Sequence, residues 1–301
     1  MNLAERPFTI KKQIPMKRIP VLILFLIPLT TLQAQRDYLP TPEDLTRFKN
    51  SKTHVVLNDN PLSEYNFEIE DAVKKFWTIT GYEIIPHDDF EEKSADENAS
   101  FLYVATVTFL KDKTHTRYLF LCLSMGGERN TTDDLKDITT IPLGYYGVDE
   151  DHYTYKLGTL LRFMQLHVQR LIDDPALVSQ NVFQHYNENM GYLNDKVLYL
   201  VEDEIAQDIA SEAKIRDLYP YAFKIVDRET IQELIMEEDE RAVFLHKVGP
   251  EGRIKNARIY KMIVGAADDK LYYYNYHKLS DKKPDALLRN DIRRMGQAPQ
   301  K

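Results

Sequence analysis

The order of apolar and polar positions predicts a strand, a helix and a second strand within residues 52–86. The run 54–57 is short and apolar, as in a buried strand. Asn60 and Pro61 then indicate a helix start, because asparagine caps well and proline fits the first turn. The helix has apolar residues at helical spacing: Leu62, Tyr65, Ile69, Ala72 or Val73, and Phe76. A glycine ends it, and an apolar run that closes with Pro86 supplies the second strand.

A near-copy of this pattern occupies residues 196–227. In both copies a short acidic helix, a β-hairpin, a late strand and a closing helix follow. The spacing between corresponding elements stays nearly constant through the strands and shortens once, where the second copy has a shorter loop. Such constancy is typical of an internal duplication. Two unrelated α/β halves are the alternative.

The predicted fold class is α/β (α+β), with two tandem β-α-β-α-β-β-β-α units that each form a mixed sheet. Helices are expected mainly on one face of each sheet. The first unit is predicted over residues 52–173 and the second over 195–301. The segment 174–194 is polar and follows an Asp-Asp-Pro sequence that ends the longest predicted helix, so it is predicted to be a linker.

The N-terminus has the pattern of a secretory signal peptide. A basic cluster begins at Met16, an apolar run covers 19–29, and Ala34 ends a plausible cleavage site. We interpret residues 1–34 as an upstream extension and signal peptide with Met16 as the start, and 35–51 as a polar lead. The apolar run is short for a membrane span, which needs about 20 apolar residues; an uncleaved anchor is the less favoured alternative. The mature chain is expected to be periplasmic or secreted, without an integral membrane span.

Charge and cysteine content narrow the function classes. The chain carries 39 Lys and Arg against 47 Asp and Glu, a formal net charge of −8, which disfavours nucleic acid as a partner. Its single cysteine, Cys122, excludes a disulfide within one chain. The sequence has no phosphate-binding loop, no dinucleotide fingerprint and no CxxC pair, so no cofactor is predicted.

One stretch carries a family resemblance. Residues 223–235, followed by an alanine-led strand, a hairpin and a closing helix, resemble the α/β domain of the TolB N-terminus and of the curli secretion protein CsgG. The resemblance covers 196–295 and, more weakly, 52–173. It implies a non-catalytic envelope module that docks other proteins. The whole chain also resembles a family of uncharacterised secreted proteins from Bacteroidota.

Two clusters place a histidine beside carboxylates, the ingredients of an oxygen–nitrogen metal site or an acid–base pair. They are His87, Asp88 and Asp89, and Asp149, Asp151 and His152. Both stand where a helix should begin, and the helix dipole alone favours carboxylates there. Neither has the spacing of a known metal motif. We therefore favour the helix-start interpretation, predict no metal, and keep these residues as candidate catalytic groups.

A tyrosine-rich strand near the C-terminus is the candidate binding face. Because strand side chains alternate, Tyr272, Tyr274 and Tyr276 are predicted to share one face. An exposed row of such rings suits a glycan or a peptide, since rigid amphipathic side chains lose little entropy on contact. Packing in the core is the alternative.

These observations favour an exported, non-catalytic periplasmic protein that acts as an envelope interaction or scaffold module. The expected partner is an envelope protein or glycan. The alternative is a metal-assisted or acid–base hydrolase of envelope polymers that uses one of the two histidine clusters. Binding of a small ligand is a third possibility.

Overall fold

The computed structural model describes residues 39–109, 116–127, 135–178, 183–251 and 257–301. The predicted upstream extension and signal peptide, residues 1–34, lie outside these ranges. Within the described ranges, no helix is both long enough and apolar enough to cross a membrane.

Both predicted units form their strands in the expected order. The first also takes in the helix Pro42–Lys49, which lies in the predicted polar lead of residues 35–51 and buries Leu45 and Phe48 in the hydrophobic core. The first contains α1 (Pro42–Lys49), β1 (Lys52–Val56), α2 (Glu64–Phe76), β2 (Gly81–Ile85), α3 (Phe90–Lys93), β3 (Ala99–Thr108), β4 (Arg117–Met125), β5 (Lys136–Tyr145) and α4 (Leu157–Asp173). The second contains β6 (Val197–Val201), α5 (Glu212–Arg216), β7 (Phe223–Val226), α6 (Arg228–Met236), β8 (Ala242–Val248), β9 (Arg258–Gly265), β10 (Leu271–Lys278) and α7 (Arg289–Gly296). Short 3-10 helices cover His87–Asp89, Glu150–His152, Thr154–Lys156, Pro175–Leu177, Gln184–Asp195 and Glu202–Glu204.

Each unit forms a 5-stranded mixed sheet, with strand order β2-β1-β3-β4-β5 in the first and β10-β9-β8-β6-β7 in the second. Strand β1 pairs parallel with β2 and β3, and β6 pairs parallel with β7 and β8. The remaining neighbours are antiparallel. Because the order and direction of the strands correspond between the units, the predicted α/β architecture with two repeated sheets is confirmed.

The largest hydrophobic core lies between the two sheets and is centred on α4, whose Leu160, Met164 and Val168 are fully buried. Leu121 of the first sheet and Phe244 of the second belong to the same cluster. Burying a side chain of this kind contributes about 1.5–3 kcal/mol. The apolar stripe of α4 therefore serves both sheets, and the two units share one core.

The two crossover helices of the second unit pack on opposite faces of its sheet, so the expectation of helices mainly on one face was wrong here. The reason is the strand order β8-β6-β7, in which the two successive crossovers run in opposite directions across the sheet. Ile215 of α5 lies in an outer core, whereas Ile231 and Ile235 of α6 lie in the core shared by both units. The chain therefore leaves the adjacent strands β6 and β7 in opposite directions. In an open α/β sheet this arrangement forms a crevice beyond the carboxyl ends of the strands.

Helix α2 begins later than the sequence predicts. The Asn60 side chain accepts a hydrogen bond from the Leu62 N–H at 3.1 Å, and this turn leaves Leu62 80% exposed. Ser63 occupies the N-cap position, and its hydroxyl donates to the Glu150 carboxylate at 2.9 Å. Glu150 also accepts from the Tyr65 N–H. A carboxylate distant in sequence therefore caps this helix.

The predicted linker covers one edge of the second sheet. The 3-10 helix Gln184–Asp195 runs beside β10, where Asn187 Oδ1 accepts from the Tyr274 N–H at 2.7 Å and Asn187 Nδ2 donates to the Tyr274 carbonyl at 3.0 Å. Asn189 donates to the Leu271 carbonyl at 2.8 Å. These amide side chains satisfy three backbone groups between Leu271 and Tyr274, which blocks this part of the edge strand from pairing with another chain.

Candidate ligand-binding cleft

A cleft of about 370 Å³ lies beyond the carboxyl ends of β6, β7 and β8. The described residues that line it are all charged: Asp203, Glu204, Arg228, Lys247, Glu251 and Asp285. The carboxyl ends of parallel strands are the usual ligand site of open α/β sheets, particularly where successive crossovers leave in opposite directions.

Separate segments bring these side chains together. Asp203 and Glu204 lie in the 3-10 helix directly after β6, and Arg228 is the first residue of α6, just after β7. Lys247 lies near the end of β8, and Asp285 precedes α7. The cleft thus depends on the sheet order, which places the ends of three strands side by side.

Asp285 is anchored in the wall of the cleft. Its Oδ1 lies 2.9 Å from Lys247 Nζ, and its Oδ2 accepts from the Glu251 N–H at 2.6 Å. Glu251 adopts a φ of 51°, a conformation uncommon for a residue with a side chain. Gly249 lies so close to the carboxylate of Asp285 that a Cβ at this position would overlap it. The glycine therefore permits Asp285 to reach the lysine.

Both cationic side chains of the cleft have carboxylate partners. Arg228 Nη2 lies 2.9 Å from Asp203 Oδ2, and the Lys247–Asp285 pair is almost completely buried. Burial acts to lower the pKa of Arg228, but the hydrogen bond to Asp203 and the charges of Asp203 and Glu204 raise this pKa overall. Two of the four carboxylates are thus neutralised within the cleft itself.

Glu204 differs from the other carboxylates because it is buried and lacks a full set of partners. The residue is 5% exposed, and its Oε2 atom has no hydrogen-bond donor among the described residues. The backbone fixes its position, since the Leu287 N–H donates to the Glu204 carbonyl at 2.8 Å. A buried acceptor without a donor costs about 1–3 kcal/mol, and more when it is charged. A ligand that supplied a donor would remove this cost.

One of the two predicted histidine clusters reaches the rim of this cleft. His152 Nδ1 lies 2.8 Å from Glu251 Oε1, and His152 Nε2 lies 3.8 Å from Asp151 Oδ1. Asp149 is exposed, and its side chain forms no cap hydrogen bond with the 3-10 helix that it precedes. His152 therefore joins the first unit to a cleft that the second unit forms, while the contacts described for Asp149 and Asp151 do not extend to a lining residue.

The other cluster does not line the cleft. His87, Asp88 and Asp89 form an exposed 3-10 helix directly after β2. This position agrees with the helix-start interpretation. Among the described residues, no group of three or more His, Cys, Asp or Glu is arranged so that it could hold a metal ion.

The three tyrosines predicted to share one face of β10 do not do so. A β-bulge between Leu271 and Tyr273 shifts the register, and both Tyr272 and Tyr273 enter the outer core of the second unit. Tyr272 is 1% exposed and Tyr276 is 48% exposed, while Tyr274 packs partly buried against the shared core. The prediction of alternation was wrong at Tyr272 because a bulge inserts an extra residue. The three rings form no common exposed surface.

No protein-family model matches the sequence, and neither the curated proteins nor the solved structures give a significant match. The resemblances to the TolB N-terminus, to CsgG and to secreted Bacteroidota proteins therefore stay predictions.

The sequence analysis did not predict the residues that line the cleft, although one feature of the sequence pointed to two of them. The acidic triplet that contains Asp203 and Glu204 follows immediately after the apolar run of β6, at the end of a predicted parallel strand. Side chains at that position lie in the usual ligand site of an open α/β sheet. Lys247 and Asp285 carry no comparable signal, because their pairing depends on a contact between separate segments.

Proposed function

We propose that the protein is an exported, non-catalytic interaction protein of the cell envelope, and that the cleft beyond β6, β7 and β8 holds its ligand. The export rests on the signal-peptide pattern of residues 1–34. The binding role rests on one observation above all: Glu204 lines the cleft, is buried, and has a carboxylate oxygen without a donor among the described residues.

The position and the size of the cleft also support its proposed role as a binding site. The volume of about 370 Å³ falls within the range of roughly 300–1,000 Å³ that is typical of small-molecule sites. The edge of β10 is covered by Gln184–Asp195, and the tyrosines of that strand point to different sides. The cleft therefore replaces the tyrosine strand as the favoured place for a partner, either a small molecule or a group on an envelope protein or glycan.

A hydrolase of envelope polymers is the second candidate, and one contact favours it. His152 Nδ1 lies 2.8 Å from Glu251 Oε1, which is the geometry of a base held by a carboxylate. The described residues that line the cleft include no serine, threonine or cysteine to act as a nucleophile. A water molecule would have to take that role. Loss of hydrolysis with retained binding in His152→Ala would favour this candidate.

The test uses a substitution that obstructs the cleft whatever the ligand. The protein is expressed with its signal-peptide pattern, purified after export, and screened by thermal shift against a library of anionic, neutral and cationic small molecules. Asp203→Trp places a large ring at the mouth of the cleft and removes the partner of Arg228. Asp208→Trp is the matched control, because the Asp208 side chain is about as exposed as that of Asp203, pairs with Arg289 at 3.0 Å and does not line the cleft.

The proposal expects at least one compound that stabilises the wild type and Asp208→Trp but not Asp203→Trp. Compounds that stabilise all three proteins equally would place binding elsewhere and contradict it. A screen in which no compound stabilises the wild type would also count against a small-ligand site.

A further inference from the structure

We infer that the ligand of this cleft is an organic cation with N–H donors, an alkylammonium or guanidinium group that sits on the carboxylate of Glu204. The inference rests on the proposed function, since it assigns a ligand class to the same cleft. It is drawn from the charges, the pairing and the burial of the lining residues.

The balance of charge in the cleft is negative. Four carboxylates face two cations, and each cation already lies 2.9 Å from one carboxylate oxygen: Arg228 from Asp203 and Lys247 from Asp285. The carboxylates of Glu204 and Glu251 remain, and Glu251 contacts His152. An incoming cation would meet a net negative charge. An anion would find one buried donor without a described partner, Arg228 Nε, and would otherwise have to compete with Asp203 or Asp285.

The carboxylate of Glu204 is the specific contact proposed for the cation. Its Oε2 is buried and without a donor among the described residues, and an ionised carboxylate can only accept hydrogen bonds. An ammonium or guanidinium group brings both charge and N–H donors, and charge-assisted hydrogen bonds are about twice as strong as neutral ones. The bonds between the ligand and Glu204 would thus satisfy the atom that the protein leaves unsatisfied.

Other cations fit less well. Calcium requires six to eight oxygen ligands, and the described residues contain no group of acidic or histidine side chains arranged for a metal ion. Quaternary ammonium groups have no N–H to donate and are typically held by aromatic rings. The described lining residues include no aromatic side chain. A primary amine or a guanidinium satisfies both the charge and the hydrogen-bond requirement.

The test is a calorimetric titration of the exported protein with defined probes at low ionic strength. The probes are 1,5-diaminopentane and agmatine as N–H cations, tetramethylammonium as a cation without donors, glutarate as an anion, and magnesium chloride. Glu204→Gln removes the charge of the carboxylate that would contact the ligand, with little change in the shape of the side chain. Glu202→Gln is the matched control, because Glu202 carries the same charge two positions away, is exposed and does not line the cleft.

The inference expects that diaminopentane or agmatine binds, that Glu204→Gln weakens this binding by at least about tenfold, and that Glu202→Gln leaves it unchanged. Equal binding of tetramethylammonium would overturn the claim that the ligand binds Glu204 through N–H donors. Glutarate binding that Asp203→Trp abolishes would overturn the cationic class while leaving the cleft as the binding site. Binding by none of the probes would also overturn the inference, whereas the library screen with Asp203→Trp decides separately whether the cleft binds anything.

Discussion

His246 in β8 donates its Nε2–H to the carbonyl oxygen of Pro142 in β5 at 2.8 Å, and this buried hydrogen bond joins the two units. The acceptor is a carbonyl, so the neutral imidazole must carry its proton on Nε2. Burial is the main cause that lowers the pKa of His246 from 6.5 to about 3, with a further contribution from the charge of Lys156. The histidine is therefore neutral in the folded protein at pH values where it is charged in the unfolded chain.

Acid is expected to weaken this connection. Since the folded pKa lies below the unfolded value of 6.5, the stabilisation is fully present above pH 6.5 and is lost as the pH falls toward 3. The free energy of unfolding of the wild type should drop by a few kcal/mol over this range. In His246→Leu the drop should be smaller, although stability at pH 7 falls by about 1–3 kcal/mol because the Pro142 carbonyl loses its donor. Urea titrations at pH 7, 6, 5 and 4 measure both effects.

The control for this prediction is His87→Leu, because His87 is exposed. Its pH dependence should match that of the wild type. A residual slope is expected in His246→Leu, since burial also lowers the pKa of His167 to about 3. An unchanged slope in His246→Leu would contradict the assignment.

Asp291 is expected to be one of the most sensitive positions in the chain. Its carboxylate accepts from Lys261 at 2.5 Å, from the Tyr273 hydroxyl at 2.6 Å and from Asn275 at 2.8 Å, all within the second unit. Asp291→Ala would leave a buried lysine without its counter-ion and should cost about 3–5 kcal/mol. The exposed Asp208–Arg289 pair is the comparison, and Asp208→Ala should cost less than about 1 kcal/mol. Similar losses from both variants in chemical denaturation would refute this account.

The bulge in β10 predicts opposite results for two tyrosines of the same strand. Tyr272→Ser removes a ring that is 1% exposed and should destabilise the protein by about 3–5 kcal/mol. Tyr276→Ser removes a ring that is 48% exposed and should cost less than about 1 kcal/mol. Thermal unfolding followed by circular dichroism distinguishes the two. Equal, small effects would restore the alternating face that the sequence suggests.

The buried carboxylate of Glu204 is expected to lower the melting temperature of the protein when no ligand is bound. Glu204→Gln removes a buried charge whose Oε2 lacks a donor among the described residues, so the variant is expected to melt about 2–4 °C higher than the wild type. The same substitution should weaken ligand binding. Glu202→Gln, on the exposed side of the same 3-10 helix, should change neither property. A lower melting temperature for Glu204→Gln would mean that the carboxylate has a structural partner instead.

The order of helices and strands was predictable from the sequence because it is determined by local patterns. Apolar runs, helical spacing and the repeated spacing of elements depend on residues close together in the chain, so both sheets could be expected before the structure. The start of α2 was not predictable in this way. The start depends on the carboxylate of Glu150, which accepts a hydrogen bond from the Ser63 hydroxyl although the two residues are 87 positions apart in the chain.

The candidate site was less predictable for the same reason. Glu204 follows a strand and could have been proposed from sequence, but its missing donor is a property of the packed structure. The Lys247–Asp285 pair spans 38 positions, and the approach of His152 to Glu251 spans 99. The bulge at Tyr272 leaves no trace in the alternation of the strand, because the residues on both sides of it are also apolar or aromatic.

A crystal structure of the protein with 1,5-diaminopentane tests the central claim most directly. The account predicts an ammonium nitrogen within hydrogen-bond distance of Glu204 Oε2, with the Arg228–Asp203 and Lys247–Asp285 pairs retained. A diamine bound away from Glu204, or a cleft that stays empty at saturating diamine, would contradict it.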